Sequence, residues 1–566
     1  MKNAYMEKPW MNHYPAGVPG NVEVPTLNVC DAFNQTTEKF KNKTAINFYG
    51  NKITYGALRD KVDRCATAFH KLGIQKGDRI ALLLLNSPEF ITAFYACAKV
   101  GAVITPISPV YVSSEIKHQL LDSGASHLIC QDILYEGVEK TGVELKNIIL
   151  TNIADSLPKV KKMIGKSILR GVYQKMSAPS PEIYRKESFH QLQDLVKEYP
   201  PNPPEVSIDP KKDLMALPYT GGTTGAPKGV MIAHCHMMWN FNQISKFMPS
   251  MEEGKETVVA FMPYYHAAGQ GISVLYSILR GYMQVTVTTP DIDDIIMEVI
   301  KQKATFFMGS PTIYETLKDY KKTDRVKWKR LKLIISGADS LHDYTAKDWE
   351  DRTGSKITEG YGMTETTSTT HMNPIGRERY GSIGIPLPDT LAAILDPDKD
   401  EFMPVGEMGE LVVAGEQITH GYWKQPEATE DCVAEIDGVR WWRTGDLARM
   451  EEDGYFYIYD RKRDLIKYKG LRVFAREVEE ALKTHPKIKE VGVVGVPDPK
   501  VGSQVKAVIV LESDARGKIS ERDVTEYCQD KLAHYKIPKI IEFAGEIPKT
   551  DIGKVSRREI RESVED

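Results

Sequence analysis

Seven cysteines in 566 residues, at positions 30, 65, 97, 130, 235, 432 and 528, form no CxxC pair and no zinc-ligand spacing. That scatter points to a reduced, cytosolic compartment and indicates no metal cluster. Charge of one sign is lacking too. With 74 Lys and Arg against 77 Asp and Glu, the formal net charge of -3 gives no reason to expect nucleic acid as a partner. No run is long and apolar enough to span a bilayer, and the N-terminal "MKNAYMEKPWMNHYPAG" has no continuous apolar core of the signal-peptide kind, so a cytoplasmic protein is expected. Internal repeats and low-complexity tracts are missing as well. What remains is an ordinary globular composition, 42% hydrophobic and 27% charged, in a chain too long for one core.

One stretch qualifies the cytoplasmic reading. In "LPKVKKMIGKSILRGVYQKM" the apolar Val160, Met163, Ile164, Ile168, Val172 and Tyr173 recur at helical spacing, while Lys159, Lys161, Lys162, Lys166, Arg170 and Lys175 have no acidic partner. A basic amphipathic helix can associate weakly with an anionic surface, here the inner face of the membrane. The same pattern also suits a solvated helix packed on its own protein. A homodimer is left open by the sequence.

From Tyr55 onward, helical and strand patterns alternate, the mark of an α/β unit. Leu58, Val62, Cys65, Ala66, Phe69 and Leu72 line one helix face that Gly73 can end, "RIALLLL" reads as a buried strand, a helix can begin at Pro88, and Gly101 precedes the strand "AVITPI". The Pro-rich "EYPPNPPEV" is a connector. After the aromatic run and charge cluster of "GYFYIYDRKRDLIKYKG", the pattern is that of a small α+β domain. It has helices in "REVEEALKTH" and in "ERDVTEYCQDKLAHY", the latter capped by Ser520 and Asp523, and strands in "KEVGVVGVP" and "VKAVIVL". A hinge at 460–463 divides the chain into residues 1–459 and 464–566.

The densest chemistry lies in "PYTGGTTGAPKGVMIAH", from Pro218 to His234, with four glycines, four hydroxyls and one lysine. Missing side chains let main-chain N–H groups close on a bulky anion, so the segment suits polyphosphate. Gly, Pro and Thr also punctuate ordinary hairpins, but the hydroxyls and Lys228 add nothing to turn geometry. It is not a Walker A loop, because Pro227 precedes the lysine, Gly229 follows it, and "VMI" reads as a strand rather than a helix.

Four further segments follow in order: "EGYGMTE" at Glu359 to Glu365, "WRTGDL" at Trp442 to Leu447, "YDRKRDLIKYKG", and "PKTDIGK" at Pro548 to Lys554. Together with the glycine loop they resemble the adenylate-forming superfamily, which includes acyl- and aryl-CoA synthetases, firefly luciferase and the adenylation domains of peptide synthetases. The likeness covers nearly the whole chain. It implies a large N-terminal domain of α/β subdomains and a small mobile α+β C-terminal domain, with ATP, Mg²⁺ and coenzyme A as cofactor and substrates. It also implies a two-step reaction, in which a carboxylate attacks the α-phosphate of ATP and a thiol then displaces AMP.

The resemblance assigns roles residue by residue. Thr220, Gly221, Gly222, Thr223, Thr224, Gly225 and Lys228 hold the pyrophosphate end, Thr364 contacts the α-phosphate, and Glu365 binds Mg²⁺, an ion that prefers hard oxygens. Asp446 takes the ribose hydroxyls with Arg461 nearby. Tyr361 stacks on adenine beside Gly337 and Ala338, within the ATP-binding run Glu359, Gly360, Gly362 and Met363. Lys554 bridges carboxylate and α-phosphate during adenylation. After rotation about Arg463, Tyr468, Lys469 and Gly470 border the pantetheine of CoA. "MPYYHAAGQG" matches the acyl-pocket segment, where His266 is either a packed wall or a gate, and Ala267, Ala268, Gly269 and Gln270 line the pocket. Small residues there leave room for an apolar chain, although small residues also permit close packing.

No aspartate stands in that segment to meet an α-amino group, which disfavours amino-acid substrates. Three departures from the family pattern stand out: Gly221 where many members have serine, Ala475 for a common proline, and "ISGADSL" for "SGGAPL". "KPWMNHYPAGVP" is similar to the entry region of prokaryotic long-chain acyl-CoA synthetases, so the expected activity is an ATP-dependent acyl-CoA ligase for medium- to long-chain fatty acids. Rival readings are an aryl-CoA ligase, a ligase loading a carrier protein, and a nonenzymatic membrane-bound nucleotide sensor. The last has no use for Lys554, "YKG" or a hinge.

Overall fold

The computed structural model describes residues 4–158, 186–220, 226–469, 471–549 and 555–565. The expected Gly221, Gly222, Thr223, Thr224, Gly225, Gly470 and Lys554, and the basic stretch 159–175, lie outside the described residues. By backbone proximity the chain forms two compact units. The larger is Trp10–Leu391 with Ala414–Asp431; the smaller is Met1–Pro9, Ala392–Val413 and Cys432–Asp566. No described helix is long and apolar enough to cross a membrane.

The larger unit is built on two sheets. A seven-stranded one runs in the order Ile232–Ala233, Leu214–Ala216, Val103–Pro106, Arg79–Leu83, His127–Gln131, Asn147–Thr151, Phe189–Gln191, and a nine-stranded one holds Phe306–Gly309 at its centre. Parallel strands covered on both faces need continuous apolar runs, and Ala81, Leu83, Leu128, Cys130, Ile148 and Leu150 supply one face of that core. The local signals hold. The helix Pro88–Val100 starts with proline in its first turn and with Ser87 Oγ accepting from Phe90 N at 3.3 Å; it ends on Gly101 at φ 70°.

Of the expected strand "VMI" only Ile232 lies in a strand, Val230 forming an isolated bridge. Lys228–Gly229 pairs with Tyr219–Thr220, whereas Ile232–Ala233 pairs with Leu214–Ala216, so the chain changes partner between them.

The smaller unit carries two five-stranded sheets. One contains the long strand Val439–Met450 paired with Phe456–Arg461, and the other is centred on Gly502–Leu511 beside Ile488–Asp498. The cap at Ser520 is reciprocal: Ser520 N donates to Asp523 Oδ2 at 2.8 Å and Asp523 N to Ser520 Oγ at 3.3 Å. The helix it starts is shorter than expected, Glu521–Gln529, because the chain then turns to bury Leu532 and Ile537 beside Cys528.

Candidate active site

In the larger unit the two arms of the glycine-rich segment are fixed side by side, Lys228 opposite Thr220. The helix Ser113–Ser123 holds both arms. Tyr219 Oη donates to Asp122 Oδ2 at 2.5 Å, and His118 Nε2 lies 3.1 Å from Pro227 O. Segment 420–423 closes against the outgoing arm, with Trp423 N donating to Gly229 O at 2.8 Å and Val230 bridged to Tyr422. This puts the Lys228 ammonium 4.9 Å from the centre of the Tyr422 ring, within cation–π range.

The Tyr422 hydroxyl in turn donates to Glu365 Oε1 at 2.7 Å. Glu365 is buried in the turn Thr364–Thr366, and its carbonyl accepts Thr419 N at 3.0 Å, so segment 419–422 fixes the acid through both main chain and side chain. Tyr361, Gly362, Met363 and Thr364 are half-buried beside it. Met363 N donates to Thr366 Oγ1 at 3.1 Å. Gly362 admits no side chain at all, since a Cβ there would lie 1.5 Å from Ser368 O. The turn thus runs as close to its neighbour as backbone allows.

Glu359 shapes the adjacent loop, its Oε1 accepting Leu341 N at 3.2 Å. Gly337 approaches Gly360, whose carbonyl would be 3.5 Å from an added Cβ. Ala338 sits at φ 70°, where a Cβ costs about 1 kcal/mol and glycine costs nothing. The "ISGADSL" departure is therefore a backbone strain. Ala338→Gly is expected to stabilise the larger unit by somewhat under about 1 kcal/mol, the relief of strain being partly offset by the freedom glycine gives the unfolded chain. An unchanged or lower urea midpoint for its unfolding transition would contradict that. Tyr361 meets His371 edge-on at 5.9 Å, and burial pushes His371 down to about 3, so a neutral ring braces the tyrosine across the physiological range.

His266 has a structural task. Its Nδ1 accepts Ala268 N at 3.3 Å and its carbonyl accepts Gln270 N at 2.8 Å, capping the turn Ala267–Gly269. Gly269 and Gly271 are small because of their neighbours: an added Cβ would lie 2.0 Å from Pro263 O and 2.7 Å from Ser368 Oγ, respectively. Their smallness is thus required by packing at these two positions. Ala267 and Gln270 are buried and Ala268 is half-buried. From Gln270 to Ser277 the chain is a π-helix, a form that sequence periodicity did not announce and that recurs at functional sites. Its displaced carbonyls are satisfied from outside, Val274 O by Tyr95 Oη at 2.8 Å and Ser273 O by Gln284 Nε2 at 2.7 Å.

In the smaller unit, Asp446 is buried opposite Arg461, whose Nε lies 2.8 Å from Asp446 Oδ1. Arg463 stands in the turn Lys462–Asp464. Burial, opposed by Asp464 and aided by Arg461 and Arg561, pushes its guanidinium down to about 10. Tyr468 ends the strand Ile466–Tyr468, and Lys469 follows at φ 48°, its N donating to Val501 O at 2.7 Å. Among the described residues no group of three or more His, Cys, Asp or Glu could hold a metal ion.

Residues 33–423 match the AMP-binding enzyme family, and residues 477–554 match the AMP-binding enzyme C-terminal domain. The chain belongs to the AMP-binding enzymes. This AMP-binding enzyme is 35% identical over 560 residues to a long-chain-fatty-acid-CoA ligase of Bacillus subtilis (strain 168), with 98% of each chain covered. Among solved structures it resembles ATP-bound MatB from Rhodopseudomonas palustris, with a TM-score of 0.81, 26% identity, and 95% of this chain and 99% of that one covered. It also resembles the anthranilate CoA ligase AuaEII in complex with anthranoyl-AMP, with a TM-score of 0.82, 25% identity, and 96% and 98% covered. Within the AMP-binding frame, Tyr422 is the residue that sequence reasoning missed. It lies 57 positions from Glu365, and nothing in "HGYW" marks its hydroxyl as a partner for a distant acid.

Proposed function

We propose that this enzyme is an ATP-dependent fatty acyl-CoA ligase. A carboxylate oxygen attacks the α-phosphorus of ATP, the bond to pyrophosphate breaks, and the acyl-adenylate forms. The CoA sulfur then attacks the acyl carbonyl, its proton passes to solvent, and AMP leaves. The observation that carries the phosphoryl half is the run Lys228, Tyr422, Glu365: a cation and a buried acid joined through one tyrosine, beside the arms of a glycine-rich loop. Attack of one anion on another demands such preorganised charge.

In this reading Lys228 with Thr220, Gly221, Gly222, Thr223, Thr224 and Gly225 cradles the pyrophosphate end, and Thr364 contacts the α-phosphate. A single buried carboxylate fits Mg²⁺, which keeps most of its shell as water and phosphate oxygen; Glu365 would hold it, and the ion would supply neutralisation of phosphate charge. Asp446, held by Arg461, takes the ribose hydroxyls. Tyr361 stacks on adenine with Gly337 and Ala338. Lys554 serves adenylation, Arg463 is the pivot, and Tyr468, Lys469 and Gly470 serve the CoA step.

Full-length likeness to a fatty-acid ligase supports an aliphatic substrate over an aromatic one. Pyrophosphate release across a panel of acids should favour octanoate and longer acids over benzoate and anthranilate. Affinity should rise roughly fourfold per methylene, as about 0.8 kcal/mol of transfer free energy requires, until the pocket ends. CoA should be needed only for thioester, not for the first burst of pyrophosphate. A kinetic preference for benzoate or anthranilate would give the enzyme to aryl substrates.

A further inference from the structure

The described residues on either side of 550–554 are drawn together. Ser556 N donates to Pro548 O at 2.8 Å, Lys549 and Val555 form an isolated antiparallel bridge, and Ile547, Val555 and Ile560 pack with Val494, Val508 and Val510. The helix Arg557–Glu565 follows at once, and its first side chain turns inward. Arg557 Nη1 donates to Asp460 Oδ1 at 2.7 Å and to Asp464 Oδ2 at 3.3 Å, while its Nε and Nη2 donate to the two oxygens of Glu479 at 3.1 and 2.7 Å. One turn on, Arg561 meets Asp464 Oδ1.

The three acids do not depend on Arg557 alone for their positions. Asp460 Oδ1 and Oδ2 accept Arg461 N and Arg476 N, and Glu479 Oε1 accepts Val493 N. Burial raises the Asp464 carboxyl, but Arg557 and Arg561 together hold it below its ordinary value, and the acids keep Arg557 charged. Such a group is tightly satisfied only in one arrangement, since a buried charge left without its partner is costly.

The placement of these acids in the chain gives the cluster its meaning. Asp460 belongs to the strand Phe456–Arg461, before Arg463; Asp464 closes the turn after it, and Glu479 lies further on in the helix Ala475–Lys483. Arg557 therefore touches both flanks of the proposed pivot. A change of backbone angle at Arg463 carries Asp464, Glu479 and Arg557 together and leaves Asp460 behind. Charge-assisted bonds tolerate only a few tenths of an ångström of stretch.

We propose that Arg557 is a positioning residue that clasps Asp460 in one of the two hinge settings and releases it in the other. The segment carrying Lys554 is thereby tied to the state of the hinge. The inference rests on the reading of Arg463 as the pivot. It adds a residue whose task is the balance between the half-reactions rather than the chemistry of either.

The test is single-turnover measurement, in the full-length enzyme, of pyrophosphate release with octanoate and of octanoyl-CoA formation from octanoyl-adenylate supplied ready-made. Asp460→Asn keeps one oxygen for Arg461 N and Arg557, and removes the charge together with the second acceptor that Arg476 N uses. It should change the ratio of the two rates about tenfold. Arg557→Gln should change the ratio in the same direction, and the double variant should go no further than the larger single effect. If Asp460→Asn leaves the ratio intact, or lowers both rates alike, the clasp is wrong even where Arg557→Gln fails to fold. Arg463→Pro separates the two ideas: a split between halves in that variant alone keeps the pivot and removes the clasp, whereas no split in it removes the pivot and the clasp with it.

Discussion

Lys554→Ala is expected to reduce adenylate formation by on the order of a hundredfold or more while leaving thioester formation from supplied acyl-adenylate nearly intact. The lysine is proposed to neutralise charge between carboxylate and α-phosphate, and one preorganised donor of that kind contributes about 3 kcal/mol to the transition state. Once the adenylate exists that contribution has been spent. The second step should then depend on Tyr468, Lys469 and Gly470. Gly470→Pro should give the mirror image, with pyrophosphate released but CoA transfer lost. Rapid-quench assays of each step would show the split. Equal damage to both halves by Lys554→Ala would remove alternation from the mechanism, or reduce the lysine to a support for folding.

Glu365→Gln should slow pyrophosphate release on the order of a hundredfold, because a carboxylate proposed to hold the phosphate-neutralising ion becomes a neutral amide of the same shape. The Mg²⁺ concentration needed for half-maximal rate should rise with it. Tyr422→Phe should cost about tenfold, the consequence of taking one hydrogen bond, roughly 1.5 kcal/mol, from a buried charge. Because both changes strike one contact, the double variant should be no slower than Glu365→Gln alone. A Tyr422→Phe enzyme with wild-type adenylation would reduce the tyrosine to packing, and one whose loss tracks a lower melting temperature would do the same.

How much of this was legible in the sequence depends on how far apart the partners lie. Pro88 at a helix start, Gly101 before the next strand, and Ser520 with Asp523 act within a turn, and the residues announced them; the cap by Ser87 was seen only in the structure. Asp446 could be singled out from "WRTGDL" and Arg461 placed near it by resemblance, but the direct ion pair between them needed the register of two strands. Tyr422 and Arg557 were invisible because their partners lie 57 and 97 positions away, and a tyrosine or arginine in a polar segment carries no sign of what it will meet. The π-helix from Gln270 was hidden for a different reason. Of its eight residues only Ile272, Val274, Leu275 and Tyr276 are apolar, too few to fix a helical period, and the hydrogen bonds of Tyr95 and Gln284 to its carbonyls come from distant positions. Ala338 shows the reverse case: the sequence departure was plain, while the dihedral angle that makes it costly was not.

The smaller unit recruits residues from near position 5, and this has a consequence for synthesis. Tyr5 rests its ring 5.9 Å from that of Phe402 and donates its hydroxyl to Met403 O, 398 positions downstream. At translation rates of about 5–20 residues per second, Tyr5 waits roughly 20–80 s before its acceptor has been made. During that interval the larger unit can complete its own sheets, while the segment around Tyr5 has no native place to go. Nascent-chain pulse proteolysis should therefore find the residues before Trp10 cleavable long after the Arg79–Leu83 strand is protected, and a bulky group fused next to Tyr5 should burden the last unit to fold rather than the first.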